Sequence, residues 1–213
     1  MPKAFITNVL LLIILMQITT DSYIPAMPHL ADYFNVSSSS IQLTFSSFVL
    51  GMSLSHLVFA PLSDKYGRKK PIICALLLCT AGSLVCYSAS SVSYFIAGRF
   101  LQGFGIGCFN SVGRSMVRDV FHGETLAKIA SLVGMLSIVV MIESPLLGGY
   151  IDHYYGWKMI FIMITTLSVI VMLFTIRCLP ETNRTLNREA THIAYLVTHV
   201  LKLMTNREFF SYT

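Results

Sequence analysis

Apolar residues gather into six stretches along the chain, at Phe5–Ala26, Ile41–Pro61, Pro71–Ser90, Tyr94–Gly113, Ile129–Tyr150 and Trp157–Leu179, each bounded by charge, Pro or Ser-rich segments. About 20 consecutive apolar residues in a helix cross the roughly 30 Å hydrocarbon core of a bilayer. Strands are a poor fit, because a membrane strand alternates apolar and polar residues over about ten positions. Here Ala75–Val85 and Phe161–Ile176 are apolar on all sides. Helices also satisfy every backbone hydrogen bond internally, as the bilayer interior requires. The pattern therefore predicts an all-α membrane protein with six transmembrane helices. Beyond the sixth, Leu186–Met204 places apolar residues at Ile193, Leu196, Val197, Val200, Leu201 and Met204 with polar positions between them, the spacing of an interfacial amphipathic helix.

Composition agrees with this pattern. Of 213 residues, 54% are hydrophobic and 12% charged, against roughly 25% charged in a soluble domain. The net charge of +5 gains its meaning from position. With a cytoplasmic N-terminus, Lys3, the cluster Lys65, Arg68, Lys69 and Lys70, the group Arg114, Arg118 and Lys128, and the tail from Arg177 to Arg207 all face the cytoplasm. The first two outer loops, His29–Ser40 and Ser90–Ser93, then carry no Lys or Arg. This is the positive-inside asymmetry, so both termini are expected in the cytoplasm, with membrane lipids as immediate partners and no nucleic-acid role. No small-residue cleavage site follows the first stretch promptly, which argues against a signal peptide. Cys74, Cys79, Cys86, Cys108 and Cys178 lie mostly inside apolar stretches without metal-ligand spacing and read as small packing residues, so no metal is expected.

A central Arg or Asp in a bilayer costs about 2.5–3.5 kcal/mol on insertion scales, so each intramembrane ionisable residue needs a reason. Asp21, His56, Arg99 and Glu143 are the four that stand out. Asp21 and Arg99 each lie about five residues from the outer end of their stretches, roughly 6–8 Å deep at 1.5 Å per residue. Two readings are open: a charge pair that neutralises both inside the bundle, or a proton-coupling site with Asp21 protonatable and Arg99 its modulator. Glu143, beside Ser144 and Pro145, suits a second protonation or cation site, or a carboxylate snorkelling outwards. His56 suits a hydrogen-bonded packing histidine. Gly103, Gly105 and Gly107 follow no strand and fall in an apolar helix, so they indicate close helix packing rather than a dinucleotide loop. Pro145, Gly148 and Gly149 are expected to make the fifth helix bendable or closely packed.

Soluble-enzyme signatures such as His-Glu-x-x-His and Gly-x-Ser-x-Gly are absent, and no enzymatic role is expected. In contrast, Ala60-Pro61-Leu62-Ser63-Asp64-Lys65-Tyr66-Gly67-Arg68-Lys69-Lys70 resembles the cytoplasmic loop between helices 2 and 3 of the major facilitator superfamily, with Ala60 in place of its opening glycine and Lys65 of its usual arginine. Arg99-Phe100-Leu101-Gln102-Gly103-Phe104-Gly105 resembles that superfamily's helix 4 motif. Thr20 to Pro28 resembles the helix 1 motif of its drug:proton antiporters. The runs Arg114 to Phe121 and Leu179-Pro180-Glu181-Thr182 narrow the likeness to the Bcr/CflA-type multidrug efflux group. Pro145, Gly148 and Gly149 fall on the helix 5 antiporter motif, although Glu143 and Ser144 stand where small apolar residues are usual.

The resemblance implies a major facilitator N-terminal half-bundle: a six-helix unit over residues 1–182, a cytoplasmic linker with an amphipathic helix over 183–205, and the truncated start of a seventh helix over 206–213. It implies proton-driven export of small amphipathic compounds through alternating access. The proton gradient is the energy source, no cofactor is needed, and the setting is a bacterial inner membrane. Asp21, Arg99 and Glu143 would be the proton-coupling residues, and Asp64, Gly67, Arg68 and Lys69 the gating loop. Family members carry two six-helix halves with the substrate site between them. A truncated product, one piece of a split transporter and a half that pairs with itself are the three expectations, truncation being favoured. The rival from another class is a non-transporting membrane interaction protein or a remnant of a transporter gene.

Overall fold

The computed structural model describes residues 2–183; the expected linker helix and the start of a seventh helix lie outside the described residues. The first crossing consists of α1 (Pro2–Asp21), a 3-10 turn (Ile24–Ala26) and α2 (Met27–Phe34). It is followed by α3 (Ser38–Tyr66), α4 (Lys69–Ser88), α5 (Val92–Val120), α6 (Gly123–Tyr155) and α7 (Lys158–Cys178). Among the described residues five segments are both long and apolar enough to cross a membrane: Lys3–Phe34, Ser38–Tyr66, Lys69–Ser88, Gly123–Tyr155 and Lys158–Cys178. The remaining crossing, α5, fourth in chain order, has 29 residues but carries Arg99, Gln102, Asn110, Arg114 and Arg118. It tolerates them because it is the inner helix of the bundle, packed between α3 and α4 and against α1.

Glycine sets how closely α5 is held. Added Cβ atoms at Gly103 and Gly107, one turn apart, would meet the backbone carbonyls of Phe48 and Met52 on α3, and one at Gly105 would meet that of Ala75 on α4. Small residues at this spacing let backbones approach within the membrane, where association depends on packing and interhelical hydrogen bonds. Gly103→Ala is therefore expected to push α3 away from α5 at a cost of about 1–3 kcal/mol, read as a lower Tm in detergent with helical content unchanged. Polar links between helices add to the seam. Ser47 Oγ donates to the Ile96 carbonyl at 3.1 Å, Asn8 Nδ2 donates to Thr175 Oγ1 at 2.9 Å, and the Thr80 and Ser168 hydroxyls meet at 2.8 Å.

Two departures from the apolar pattern have local causes. Pro25 has no N–H and its ring crowds the carbonyl four residues back, so α1 ends at Asp21 and the chain continues as a 3-10 turn. Pro28 then sits in the first turn of α2, which occupies much of the expected first outer loop and ends at Asn35 in the left-handed conformation, φ 55°. Leu30 is buried, and His29 Nδ1 lies 2.6 Å from Asp152 Oδ2 at the end of α6. Trp157 holds the same end together: its ring meets Tyr33 at 5.1 Å, Phe95 at 5.8 Å and Phe34 at 5.9 Å. Serine side chains cap α3 and α5, with Ser37 and Ser91 accepting from the backbone N–H groups of Ser40 and Tyr94.

Candidate functional site

Arg99 sits wholly buried on α5 with 0% exposure. Its guanidinium lies between two aromatic faces, 3.8 Å from the Tyr23 centroid and 4.1 Å from that of Phe48. Such stacking stabilises a cation out of water, and a planar guanidinium suits it better than a lysine ammonium would. Nη1 donates to Gln102 Oε1 at 2.5 Å and to the Thr19 carbonyl at 3.3 Å. Gln102 Nε2 donates in turn to Ser83 Oγ at 2.7 Å, and Ser83 to the Cys79 carbonyl at 2.8 Å, so the chain of donors is anchored in α4.

Asp21 is the last residue of α1, immediately before the proline-induced break. No ion pair joins it to Arg99 within 4.0 Å. Instead Asp21 Oδ2 and Arg99 Nε and Nη2 are all buried without a hydrogen-bond partner. Arg99 is nevertheless close enough for its charge to be felt at the Asp21 carboxylate. An acceptor and two donors left unmatched in low dielectric are costly. Gly148 of α6 packs directly on the Ser22 carbonyl, so the break is held from the α6 side. A Cβ added at Gly149 would only reach ordinary van der Waals contact with Pro25, so that position is less tightly held, and α6 runs as helix through Pro145.

Glu143 is not part of this arrangement. It is exposed on α6 beside the exposed Met141 and Ile142. His56 is half-buried and its Nδ1 donates to the Met52 carbonyl at 2.7 Å within its own helix. Among the described residues no three His, Cys, Asp or Glu side chains gather as a metal site requires.

At the basic end of the bundle, the loop between α3 and α4 forms a second polar centre. Arg68 is 9% exposed. It donates through Nη1 to Asp64 Oδ1 at 2.6 Å and Ser63 Oγ at 2.7 Å, and through Nε to Asp119 Oδ2 at 3.0 Å. Burial opposes its charge, but the carboxylates of Asp119 and Asp64 outweigh that and hold the guanidinium above its ordinary value, so it stays charged throughout the physiological range. Gly67, φ +88°, turns the chain so that the N–H groups of Arg68 and Lys69 both point at Glu181, donating to Oε1 at 2.7 Å and Oε2 at 3.2 Å. A Cβ at Gly67 would collide with that carboxylate. Lys69 Nζ donates to the Ile176 carbonyl at 2.8 Å. The loop thus ties α3, α4, the end of α5 and the segment after α7 into one knot.

The profile of the Major Facilitator Superfamily matches residues 9–212. The chain belongs to the major facilitator superfamily. It is 28% identical over 208 residues to the bicyclomycin resistance protein homolog of Haemophilus influenzae, covering 98% of this chain and 52% of that protein. It is 31% identical over 180 residues to the multidrug resistance protein MdtL of Salmonella paratyphi A, covering 84% of this chain and 46% of that protein. The solved D-xylose-proton symporter shares the fold with a TM-score of 0.74 at 16% identity, covering 94% of this chain and 54% of that one. The chain thus spans about half the length of the curated relatives it matches, and its six crossings correspond to the N-terminal half of the superfamily fold.

Among superfamily features, the structure brings Asp64, Gly67, Arg68 and Lys69 together, and sets Asp21 near Arg99 without pairing them. No local pattern in the sequence assigns Asp119 or Glu181 to the loop, or Tyr23 and Phe48 to the arginine. Asp119 and Glu181 lie within the two runs that resemble the multidrug group, which is the signal available for them.

Proposed function

We propose that this chain is the proton-coupling half of a transporter that exports small amphipathic compounds in exchange for protons. It lies in a bacterial inner membrane with both termini cytoplasmic, and has neither enzymatic activity nor a cofactor. The observation that carries this reading is the unmatched trio at the break in the first crossing: Asp21 Oδ2 and Arg99 Nε and Nη2. A deprotonated Asp21 draws the guanidinium towards it; a protonated Asp21 releases it to Gln102 and the Thr19 carbonyl, the arrangement observed. Because the break is clamped by Gly148, a change at Asp21 is transmitted to α6. The names of the bicyclomycin and multidrug resistance relatives support the class of cargo. Glu143, exposed on α6, is proposed as a secondary protonation or cation site.

Leu43, Leu50 and Leu57 form an exposed stripe at seven-residue spacing on α3, and Ile138, Met141, Ile142 and Leu146 are exposed on α6. These faces suit contact with a second six-helix unit, either a separate C-terminal half or another copy. They equally suit lipid, and this is what keeps the non-transporting membrane protein as a second reading. Reconstituted into vesicles with an imposed pH gradient, the chain should move an amphipathic dye against its gradient and stop when a protonophore is added. Dye movement indifferent to the gradient, or none in correctly inserted protein, would overturn the transport reading for the chain alone.

A further inference from the structure

A cleft of about 640 Å³ opens between α1, α5 and α6 and is separate from the Asp21–Arg99 centre. One wall is the apolar face of α1, from Val9 to Met16, and another is the stretch of α6 from Leu126 to Ser137. The α5 wall carries Asn110, Arg114 and Arg118. These three lie at i, i+4 and i+8, so a single polar stripe runs down an otherwise apolar cleft. Arg118 and Arg114 stand about two and six residues from the end of α5, or roughly 3 and 9 Å inside it, and Asn110 about 15 Å inside. The cleft therefore runs from a cationic mouth at the basic end to about the middle of the bilayer.

The charge of this cleft is one-sided. Among the described residues no Asp or Glu lines it. Among the described residues neither Arg114 nor Arg118 forms an ion pair, and the neighbouring carboxylates are committed elsewhere, Asp119 to Arg68 and Glu124 to Lys128. Both arginines are exposed, so a solute entering the mouth can reach them, and the apolar walls beside them concentrate their positive field. The volume falls in the range of small-molecule sites, which are mostly apolar with a few placed polar groups.

We infer that this cleft binds an amphipathic organic anion, with its carboxylate, sulfonate or phosphate held by Arg114 and Arg118 and its apolar body lying between α1 and α6 towards Asn110. Guanidinium groups suit this task because they pair with such oxyanions bidentately. This deepens the transport reading and rests on it for passage of the ligand, though not for its binding. The same anionic group could belong to a soluble compound or to a lipid headgroup.

The test is a binding measurement without any gradient, so that a failure of proton-driven transport leaves it interpretable. The chain is placed in nanodiscs of zwitterionic lipid and titrated with 8-anilinonaphthalene-1-sulfonate and with the uncharged N-phenyl-1-naphthylamine, empty discs being subtracted. The sulfonate should bind at least about tenfold more tightly than the neutral dye. The double substitution Arg114→Gln, Arg118→Gln should remove that preference while leaving neutral-dye binding intact, which also shows that the cleft is still formed. Lys128→Gln, which removes one exposed positive charge outside the cleft, should change neither. Equal binding of the two dyes, or a sulfonate affinity unaltered by the double substitution, would overturn the inference. Discs doped with phosphatidylglycerol separate the sources: arginine-dependent loss of dye binding assigns the site to a lipid headgroup, and unchanged binding assigns it to a soluble anion.

Discussion

Asp21→Asn is expected to reduce gradient-driven dye movement to the level of protein-free vesicles while leaving insertion and folding intact. The amide matches the carboxylate in shape, and at a half-buried site this change should alter stability by no more than about 1 kcal/mol. What it removes is the one group at the break that can exchange a proton while facing a buried cation. Arg99→Lys should also remove most of the movement, for a different reason. The charge persists, but the planar fork that stacks on Tyr23 and Phe48 and reaches Gln102 is gone. Asp21→Asn protein that still moves dye with the gradient would take Asp21 out of the mechanism.

Arg68→Ala should produce the largest loss of stability of any substitution outside the helix seams. It removes at once the partners of Asp64, Asp119 and Ser63. Breaking a fully buried ion pair costs about 3–5 kcal/mol. Because the Asp64 side chain is 48% exposed and its charge is partly returned to water, about 2–3 kcal/mol is the better expectation. The measurement is the Tm of purified protein in a mild detergent. Arg68→Lys should recover only part of the loss, since one ammonium cannot reproduce the separate contacts of Nη1 and Nε. A Tm unchanged by Arg68→Ala would mean that the loop is not a structural knot.

The crossings were legible because a bilayer demands long apolar helices and little else, and even the polar α5 kept enough apolar length to be seen. Helix ends were less so. The structure carries α3 to Tyr66 and α5 to Val120, well past the apolar windows, because the charged residues there can extend to the membrane surface without ending the helix. The eight-residue α2 falls where the sequence predicts mostly the first outer loop: it is too short for a periodic signal, and Pro25 and Pro28 at its start usually mark turns. At the sites, sequence placed Asp21 and Arg99 at one depth, but the aromatic cage depends on how near α3 comes to α5, which Gly103 permits and no local pattern announces. Likewise Glu181 is 113 residues from Arg68 and Asp119 is 51, so their contacts exist only once α4, α5 and α7 have packed.

The proposal that Asp21 carries the exchanged proton fixes how dye and proton movements are linked. Its most direct test records the pH inside the vesicle and the dye content together, in vesicles bearing the chain and an imposed gradient. Dye should enter as protons leave in a fixed ratio, and Asp21→Asn should abolish both movements together. Dye movement without a matching proton movement, or an unchanged ratio in Asp21→Asn, would contradict it.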